Sequence, residues 1–158
     1  SELPSMIGQN FPADISRSGI FGHSMGGHGA LTIALKNPER YRSASAFAPI
    51  VAPSRVPWGE KAFTGYLGSG RESWAAYDAC ELVGRQRFPG RILIDQGSAD
   101  KFLDEQLRPE LFERACESSG QELLLRTQQG YDHSYWFIST FVEDHLRHHA
   151  QALGVLPG

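Results

Sequence analysis

The sequence predicts an α/β fold with a mostly parallel, doubly wound sheet. Short apolar runs suited to buried strands, at residues 18–21, 91–97 and 122–127, alternate with longer stretches of helical periodicity. Strands that alternate with helices in this way form βαβ units, whose strands lie parallel. The 158 residues contain 41% hydrophobic residues and carry a net charge of −3, which favours a globular enzyme core over a nucleic-acid-binding protein.

The segment Gly22-His23-Ser24-Met25-Gly26 follows the first strand and opens a helix predicted over Met25–Lys36. This is the G-x-S-x-G pattern of a nucleophile elbow, in which a sharp strand-to-helix turn lifts the serine hydroxyl clear of the sheet. We expect Gly22 and Gly26 to remove side chains that would collide across the turn. Five loosely specified positions also recur by chance, so the pattern needs partners elsewhere in the chain.

Those partners follow in the order Ser, Asp, His that α/β-hydrolases use. Asp100 lies just after the strand at 91–97, and His133 lies on a loop between the last strand and a long C-terminal helix. Ser24 would attack an acyl carbon, His133 would take and return the proton, and Asp100 would orient the imidazole. The Met25 amide would donate to the developing oxyanion. The sequence therefore predicts an α/β-hydrolase fold with a Ser24–His133–Asp100 triad.

Other carboxylates and histidines compete for these roles. Asp95, in or at the end of its strand, and Asp104, one helical turn further on, are the alternative acids. His23 is a candidate to line the substrate site, whereas His28 on the following helix suits packing or a hydrogen bond. Three more histidines near the end of the last helix are expected to be structural or exposed, with cations there favoured by the helix dipole: His145, His148 and His149. No cysteine or paired carboxylate completes a metal site around them, so neither metal nor cofactor is predicted.

With these residues in place, the chain resembles the S-formylglutathione hydrolases, also called esterase D. The resemblance extends in order over nearly the whole chain and rests on four stretches: Phe21–Ala30, Pro57–Gly59, Ile94–Gly97 with Asp100, and Gly130–Tyr135. It implies hydrolysis of S-formylglutathione to glutathione and formate, the step of formaldehyde detoxification, with Ser24, Asp100 and His133 as the triad. It also implies a homodimer and a cytoplasmic location. Neither a nucleic-acid partner nor a membrane is predicted, because the composition is mildly acidic and no stretch approaches the ~20 apolar residues that span a bilayer.

The beginning of the chain departs from this family. Only 23 residues precede Ser24, room for the end of a helix at 1–8, a connection at 11–17 and one strand. The four strands, turns and crossover helix expected before the elbow need on the order of a hundred residues. We therefore expect residues 1–158 to be a partial α/β-hydrolase domain that lacks its N-terminal strands, completed by a partner segment or a longer parent chain. A complete minimal hydrolase is the alternative.

Residues 49–82 leave the strand and helix pattern and predict a loop-rich insertion that forms a pocket wall. Trp58 is the best candidate there for a substrate contact. Trp74 and Tyr77 are spaced like one helical face, which favours a small satellite core under the insertion. Three cations could meet the carboxylates of glutathione at the rim or be solvated surface charges: Lys61, Arg71 and Lys101.

Cys80 and Cys116 lie in helical patterns and are expected to be buried free thiols.

Two other functions stay open. One is a general short-chain carboxylesterase or acyltransferase, related to feruloyl esterases and mycolyltransferases, because the acyl-enzyme step is common to all of them. The other is an inactive, truncated domain retained for association, because the loop expected to supply the second oxyanion donor is not among these residues.

Overall fold

A computed structural model describes residues 2–157, so Ser1 of the predicted first helix lies outside the described residues. The helices are α1 (Glu2–Asn10), α2 (Met25–Lys36), α3 (Pro57–Leu67), α4 (Ala79–Arg85), α5 (Pro109–Ser119) and α6 (Tyr135–Ala152). The strands are β1 (Gly19–His23), β2 (Ser43–Phe47), β3 (Ile92–Gly97) and β4 (Leu123–Gln128). Within this part of the chain, no helix is both long and apolar enough to cross a membrane.

The four strands form one parallel sheet in the order β1-β2-β3-β4. Alternate residues of β2 face opposite sides, since successive side chains on a strand point to opposite faces. Ala44 and Ala46 pack with α2, α4 and α5, whereas Phe47 packs with Phe137 of α6. Helices therefore cover both faces, which confirms the predicted α/β class.

The element boundaries lie within two residues of the predicted ones in most cases. The helix at Met25–Lys36 begins and ends as predicted, and α1 extends two residues beyond the predicted Gly8. The first strand is displaced towards the elbow and ends at His23 instead of Phe21. His23 is thus the last residue of β1, directly beneath the turn that carries Ser24.

The prediction of a loop-rich insertion at 49–82 is wrong, because most of this segment is helical. It contains α3, α4 and two short 3-10 turns, at Pro53–Arg55 and Arg71–Tyr77. Pro57 occupies the first turn of α3, where its missing N–H costs nothing, and Gly68 ends that helix with a φ of 82°. Proline and glycine therefore mark helix ends here rather than an irregular loop.

A satellite core does form under this segment. Trp74 is buried, and its ring lies 5.7 Å from that of Phe63, centroid to centroid. Tyr77 is more exposed, and Lys36 Nζ lies 4.0 Å from the centroid of its ring. Trp74 thus packs as the periodicity predicts, while Tyr77 lies at the edge of the core. Cys80 and Cys116 are buried free thiols, as predicted.

Candidate active site

Ser24 occupies a strained turn between β1 and α2. Its φ of 56° and ψ of −116° lie in a region that side-chain-bearing residues rarely adopt. The turn is held by the Ser24 amide, which donates to the Phe47 carbonyl at 2.9 Å, and by the Ser24 carbonyl, which accepts from the His28 amide at 2.9 Å. These hydrogen bonds hold Ser24 in the strained backbone conformation that a nucleophile elbow requires.

Only one of the two elbow glycines is required by space. A Cβ at Gly22 would lie 2.3 Å from the Gly26 carbonyl oxygen, so a larger residue there would force the turn apart. A Cβ at Gly26 would meet nothing within 4 Å. The predicted clash at Gly26 is therefore corrected, because the close approach across the turn is made by its backbone and not by its Cα substituent.

Met25 is the first residue of α2, and its side chain is largely exposed. The Ser24 side chain does not cap the helix. The first-turn amides of a helix have no acceptor within the helix, so the Met25 N–H is free to donate elsewhere. Its place directly after Ser24 suits an oxyanion donor.

Asp100 and His133 form a short hydrogen bond, with His133 Nδ1 2.6 Å from Asp100 Oδ2. Since a carboxylate only accepts, Nδ1 is the donor, and Nε2 of a neutral ring is left to accept a proton. Burial by itself raises the pKa of Asp100, but the hydrogen bonds from His133 and the Phe102 amide outweigh it and hold that pKa below its usual value. Asp100 is thus an ionised, buried partner for His133.

The loop that carries His133 packs against the end of β3, and its His133 ring contacts the residue before the elbow serine. The Ala99 amide donates to the Tyr131 carbonyl at 2.9 Å, and a Cβ at Gly97 would lie 2.3 Å from that same carbonyl oxygen. The His133 ring lies 4.3 Å from the ring of His23, the residue before Ser24. Burial and repulsion from His133 lower the pKa of His23. The fold therefore brings Ser24, His133 and Asp100 to the same edge of the sheet.

The two other carboxylates considered for the role of Asp100 are either paired with an arginine or exposed. Asp95 lies inside β3 and is fully buried, where Arg126 donates to both of its oxygens, at 2.6 and 2.5 Å. Asp104 is exposed on the short π-helical turn Leu103–Leu107. Neither contacts His133, which leaves Asp100 as the acid that does.

An apolar cavity of about 450 Å³ opens beside Ser24. Its wall is formed largely by the segment 49–82, and includes Trp58, Gly59, Ala62, Phe63 and Tyr66 together with Met25, His28, Ile50 and Pro53. Trp58 is partly exposed, and its ring lies 4.7 Å from that of Phe102. His28, assigned to packing or a hydrogen bond from the sequence, lines this cavity, whereas His23 is not among its lining residues and packs against His133 instead.

Two of the three histidines of α6, which the sequence predicts to be structural or exposed, are structural. His145 and His149 are buried against β2, and burial lowers the pKa of His149 to about 4, so that this ring is neutral at pH 7. Their imidazoles hydrogen-bond to Ser43, Ser45 and Asp95 instead. No cluster of metal-ligating side chains occurs in the region from Glu2 to Pro157.

Two residues that the sequence analysis did not propose for the site contact His133 and Asp100. The Phe102 ring meets the His133 ring edge-on at 5.2 Å, and Gln96 Nε2 donates to Asp100 Oδ2 at 3.3 Å. Phe102 gives no sequence signal, because its role depends on how the loop after Asp100 folds back. Gln96 does give one, since a polar residue inside an otherwise apolar buried strand needs a partner.

Comparisons with known proteins agree with this geometry. Residues 1–148 match the family model described as "Putative esterase". S-formylglutathione hydrolases of Bos taurus and Arabidopsis thaliana are 55% and 53% identical over 156 and 154 residues, which is 96% of this chain in each case. The solved structure of an S-formylglutathione hydrolase from Agrobacterium tumefaciens is 61% identical over 97% of this chain, with a TM-score of 0.94.

The chain spans about half the length of these relatives. It covers 55% of the Bos taurus protein, 54% of the Arabidopsis thaliana protein and 55% of the Agrobacterium tumefaciens chain. Over that half, the fold agrees closely with that of the Agrobacterium tumefaciens chain. The chain therefore belongs to this esterase family and has the corresponding part of an α/β-hydrolase fold.

Proposed function

We propose that this chain carries the catalytic residues of a serine thioesterase that hydrolyses S-formylglutathione to glutathione and formate. The observation that carries the proposal is the Asp100–His133 hydrogen bond beside the strained Ser24 turn. The substrate comes from the relatives that share more than half of their residues with this chain and are named S-formylglutathione hydrolases.

In this mechanism Ser24 Oγ attacks the formyl carbon while His133 Nε2 takes the hydroxyl proton. The Asp100 carboxylate keeps the other ring proton on Nδ1 and stabilises the imidazolium that forms. The Met25 amide donates to the oxyanion at the moment that charge develops on it. The sulfur leaves with the proton from His133. Water then attacks the formyl carbon while His133 takes its proton, and the bond to Ser24 Oγ breaks as His133 passes that proton to Oγ and formate is released.

The thiol half of the substrate would lie on the His133 side, because His133 must return its proton to the leaving sulfur. A surface depression of about 300 Å³ lies there, lined by Lys101, Phe102, Asp132, His133 and Ser134. Lys101 is exposed, with Nζ 4.9 Å from the centroid of the Phe102 ring. Arg71, by contrast, is paired with Glu60 at 2.5 Å. Lys101 is therefore our choice among the three candidate cations for a carboxylate of glutathione.

We also propose that a further segment completes the sheet at β1. In the described region β1 pairs with β2 alone, and the Phe21 side chain on it is half exposed. A parallel strand is normally paired and covered on both faces. The segment that completes it would also bring the second oxyanion donor, and the homodimer that the family resemblance implies would form from the completed domain.

The decisive experiment compares Ser24→Ala with the parent full-length protein. A formyl or acetyl ester should leave an acyl adduct of matching mass on the parent and none on Ser24→Ala, because Ser24 is the serine held in an elbow. Ser139→Ala removes an exposed hydroxyl on α6 and serves as the matched control. An adduct that persists on Ser24→Ala would refute the nucleophile assignment.

The cavity favours a second candidate, a carboxylesterase that acts on short-chain oxygen esters. A formyl group fills only a small part of about 450 Å³, whereas the walls from Trp58, Phe63 and Tyr66 suit an apolar acyl or aryl group. The ratio of kcat/KM for S-formylglutathione to that for 4-nitrophenyl acetate separates the two candidates. A ratio below one would favour the carboxylesterase.

A further inference from the structure

A continuous chain of buried hydrogen bonds links α6 to the middle of the sheet. His149 Nδ1 lies 2.6 Å from Ser43 Oγ, and His149 Nε2 lies 2.9 Å from Ser45 Oγ. The same Ser45 Oγ lies 2.8 Å from His145 Nδ1, and His145 Nε2 lies 3.2 Å from Asp95 Oδ2. All five residues are buried. We call these residues, Ser43, Ser45, Asp95, His145 and His149, the relay.

The chemistry of the donors gives the relay a single direction. Asp95 only accepts, so His145 donates to it from Nε2. When each imidazole carries a single N–H, His145 accepts at Nδ1. Ser45 must then donate to His145 and accept from His149 Nε2, which leaves His149 Nδ1 to accept from Ser43. Each hydroxyl and ring proton is used once. With a single N–H on each ring, the arrangement therefore places that proton on Nε2 of both imidazoles.

The Asp95 end of the relay is held in place by its neighbours. Arg126 donates to both carboxylate oxygens, Gln128 Nε2 donates to Oδ1 at 3.1 Å, and Arg126 also donates to Asp144 of α6 at 2.8 Å. Asp95 therefore stays charged and fixed within β3. The relay also requires Gly19, since a Cβ there would lie 2.6 Å from His149 Nδ1.

The relay adjoins the elbow through Phe47. The His145 ring stacks on the Phe47 ring at 3.7 Å and 21°, and the Phe47 carbonyl accepts the hydrogen bond from the Ser24 amide. The Asp95 carbonyl accepts from the amide of Ala48, a residue held at a φ of 41°. At its other end, α6 begins at Tyr135, two residues after His133. A rotation of α6 about its axis would thus disturb both Ser24 and His133.

We propose that Ser45 and His145 are positioning residues for the hydrolase, which set the rotation of α6 and thereby the alignment of Ser24 with His133. Ser45 is the central member, because both imidazoles hydrogen-bond to it. Its loss would leave His145 Nδ1 and His149 Nε2 without partners in a buried space, and the helix would shift to satisfy them. A displacement near 1 Å at the reacting groups is enough to slow an enzyme strongly. This inference rests on the proposed triad.

The test measures kcat and KM for 4-nitrophenyl acetate in the full-length protein. Ser45→Ala should lower kcat by about ten- to hundredfold and change KM by less than about twofold. Val83→Ala, a core truncation in α4 away from the relay, is the matched control for lost stability. It should lower the melting temperature comparably and keep kcat. Equal kcat in Ser45→Ala and the parent would overturn the inference.

A second measurement needs no variant that might fail to fold. The ¹⁵N spectrum of the histidine rings in the parent protein should show a proton on Nε2 of both His145 and His149, and a proton on Nδ1 alone in either ring would overturn the relay. A fluorophosphonate probe should label Ser24 in the parent. Failure of that labelling would refute the proposed function itself, whereas labelling with unaltered kcat in Ser45→Ala refutes the positioning role alone.

Discussion

At the scale of single residues, the site contrasts two buried aspartates that each meet a histidine. Asp100 meets His133 at 2.6 Å and forms no ion pair with a lysine or arginine among residues 2–157, so its charge is available to stabilise an imidazolium. Asp95 Oδ2 lies 3.2 Å from His145 Nε2, but the Arg126 guanidinium already neutralises this carboxylate and donates one hydrogen bond to each of its oxygens. In the proposed mechanism Asp100 thus serves catalysis, whereas Asp95 serves the architecture, and the ion pair with Arg126 distinguishes the two.

Replacement of these aspartates should separate the two tasks. We expect Asp100→Asn in the full-length protein to keep the fold and to lower kcat on the order of 10⁴-fold, because the amide holds the wrong tautomer of His133. Asp104→Asn, at an exposed carboxylate, is the control and should keep kcat. Asp95→Asn should instead lower the urea midpoint, because it removes the charge that Arg126 pairs with. Steady-state rates that rank Asp104→Asn below Asp100→Asn would refute the assignment.

Lys101 offers a charge-specific prediction. If it meets a carboxylate of glutathione, Lys101→Met should raise KM for S-formylglutathione by about two- to fivefold, the range expected for an exposed ion pair. KM for the uncharged ester 4-nitrophenyl acetate should not change. Lys61→Met removes a comparable exposed cation on α3 and should alter neither value. A parallel rise in KM for both substrates after Lys101→Met would mean that the lysine shapes the depression rather than binding charge.

At the scale of elements, α3 determines the shape of the cavity beside Ser24. The helix supplies Trp58, Phe63 and Tyr66 to the wall, and the Trp58 amide donates to Gln106 Oε1 at 3.0 Å. Its position depends on Gly59, where a Cβ would lie 2.0 Å from the Pro53 carbonyl oxygen. The close approach of α3 to the preceding turn is therefore what places the aromatic wall.

Two glycines of α3 form a matched pair that tests this close approach. Gly59→Ala should lower the free energy of unfolding by about 1–3 kcal/mol, because the new methyl group overlaps fixed backbone. Gly65→Ala, in the same helix with open space around its Cα, should raise it by about 0.5–1 kcal/mol through lower backbone entropy in the unfolded chain. Urea unfolding of both variants measures the difference, and equal effects would show that α3 does not depend on Gly59.

At the scale of the whole molecule, α6 is attached to the sheet in part by the neutral imidazole of His149, and this makes stability depend on pH. The unfolded chain binds a proton at His149 near pH 6.5, whereas burial, with repulsion from His148 and His145, lowers the folded pKa to about 4. The unfolded state thus binds more protons between these values. The contribution of His149 to the free energy of unfolding is therefore fully present above about pH 6.5 and is lost as the pH falls towards 4.

For His149 alone, the free energy of unfolding should fall by about 3 kcal/mol between pH 7 and pH 4. Urea unfolding at a series of pH values in this window measures it. His149→Gln should be less stable at pH 7 and should show a shallower fall, because the residue that gains the proton is gone. His23, His28 and His148 also have lowered pKa values and contribute to the remaining slope, as do the buried carboxylates of Asp95 and Asp100 near pH 4. An unchanged slope in His149→Gln would contradict this account.

The edge at β1 gives a prediction for the isolated stretch of 158 residues. Exposed apolar side chains lie on or beside this strand, including Phe21 on β1 and Ile33 on α2. Unpaired strand edges with apolar surface associate readily. Expressed alone, residues 1–158 should be poorly soluble or oligomeric with little thioesterase activity. Addition of the remaining half of an S-formylglutathione hydrolase relative, in trans or as a fusion, should restore both, and a monomeric, fully active 158-residue protein would contradict this.

Local patterns in the sequence were sufficient to predict the class of the fold and the three residues proposed for the triad. The alternation of apolar runs with helical periodicity predicted the parallel sheet, and the elbow pattern predicted the turn at Ser24, because both depend on residues close together in the chain. Asp100 could be chosen over Asp95 and Asp104 since the carboxyl ends of parallel strands lie at one edge of the sheet.

Only the tertiary structure decided how the remaining polar residues are used. Residues 49–82 fold as helices because Gly59 packs on Pro53 and Trp74 on Phe63, contacts that proline and glycine content alone cannot show. His145 and His149 lie far in sequence from Ser45 and Asp95, so their exposure and charge depend on where α6 docks. Burial and long-range hydrogen bonds determine the charge of such groups, and both arise only when the elements pack.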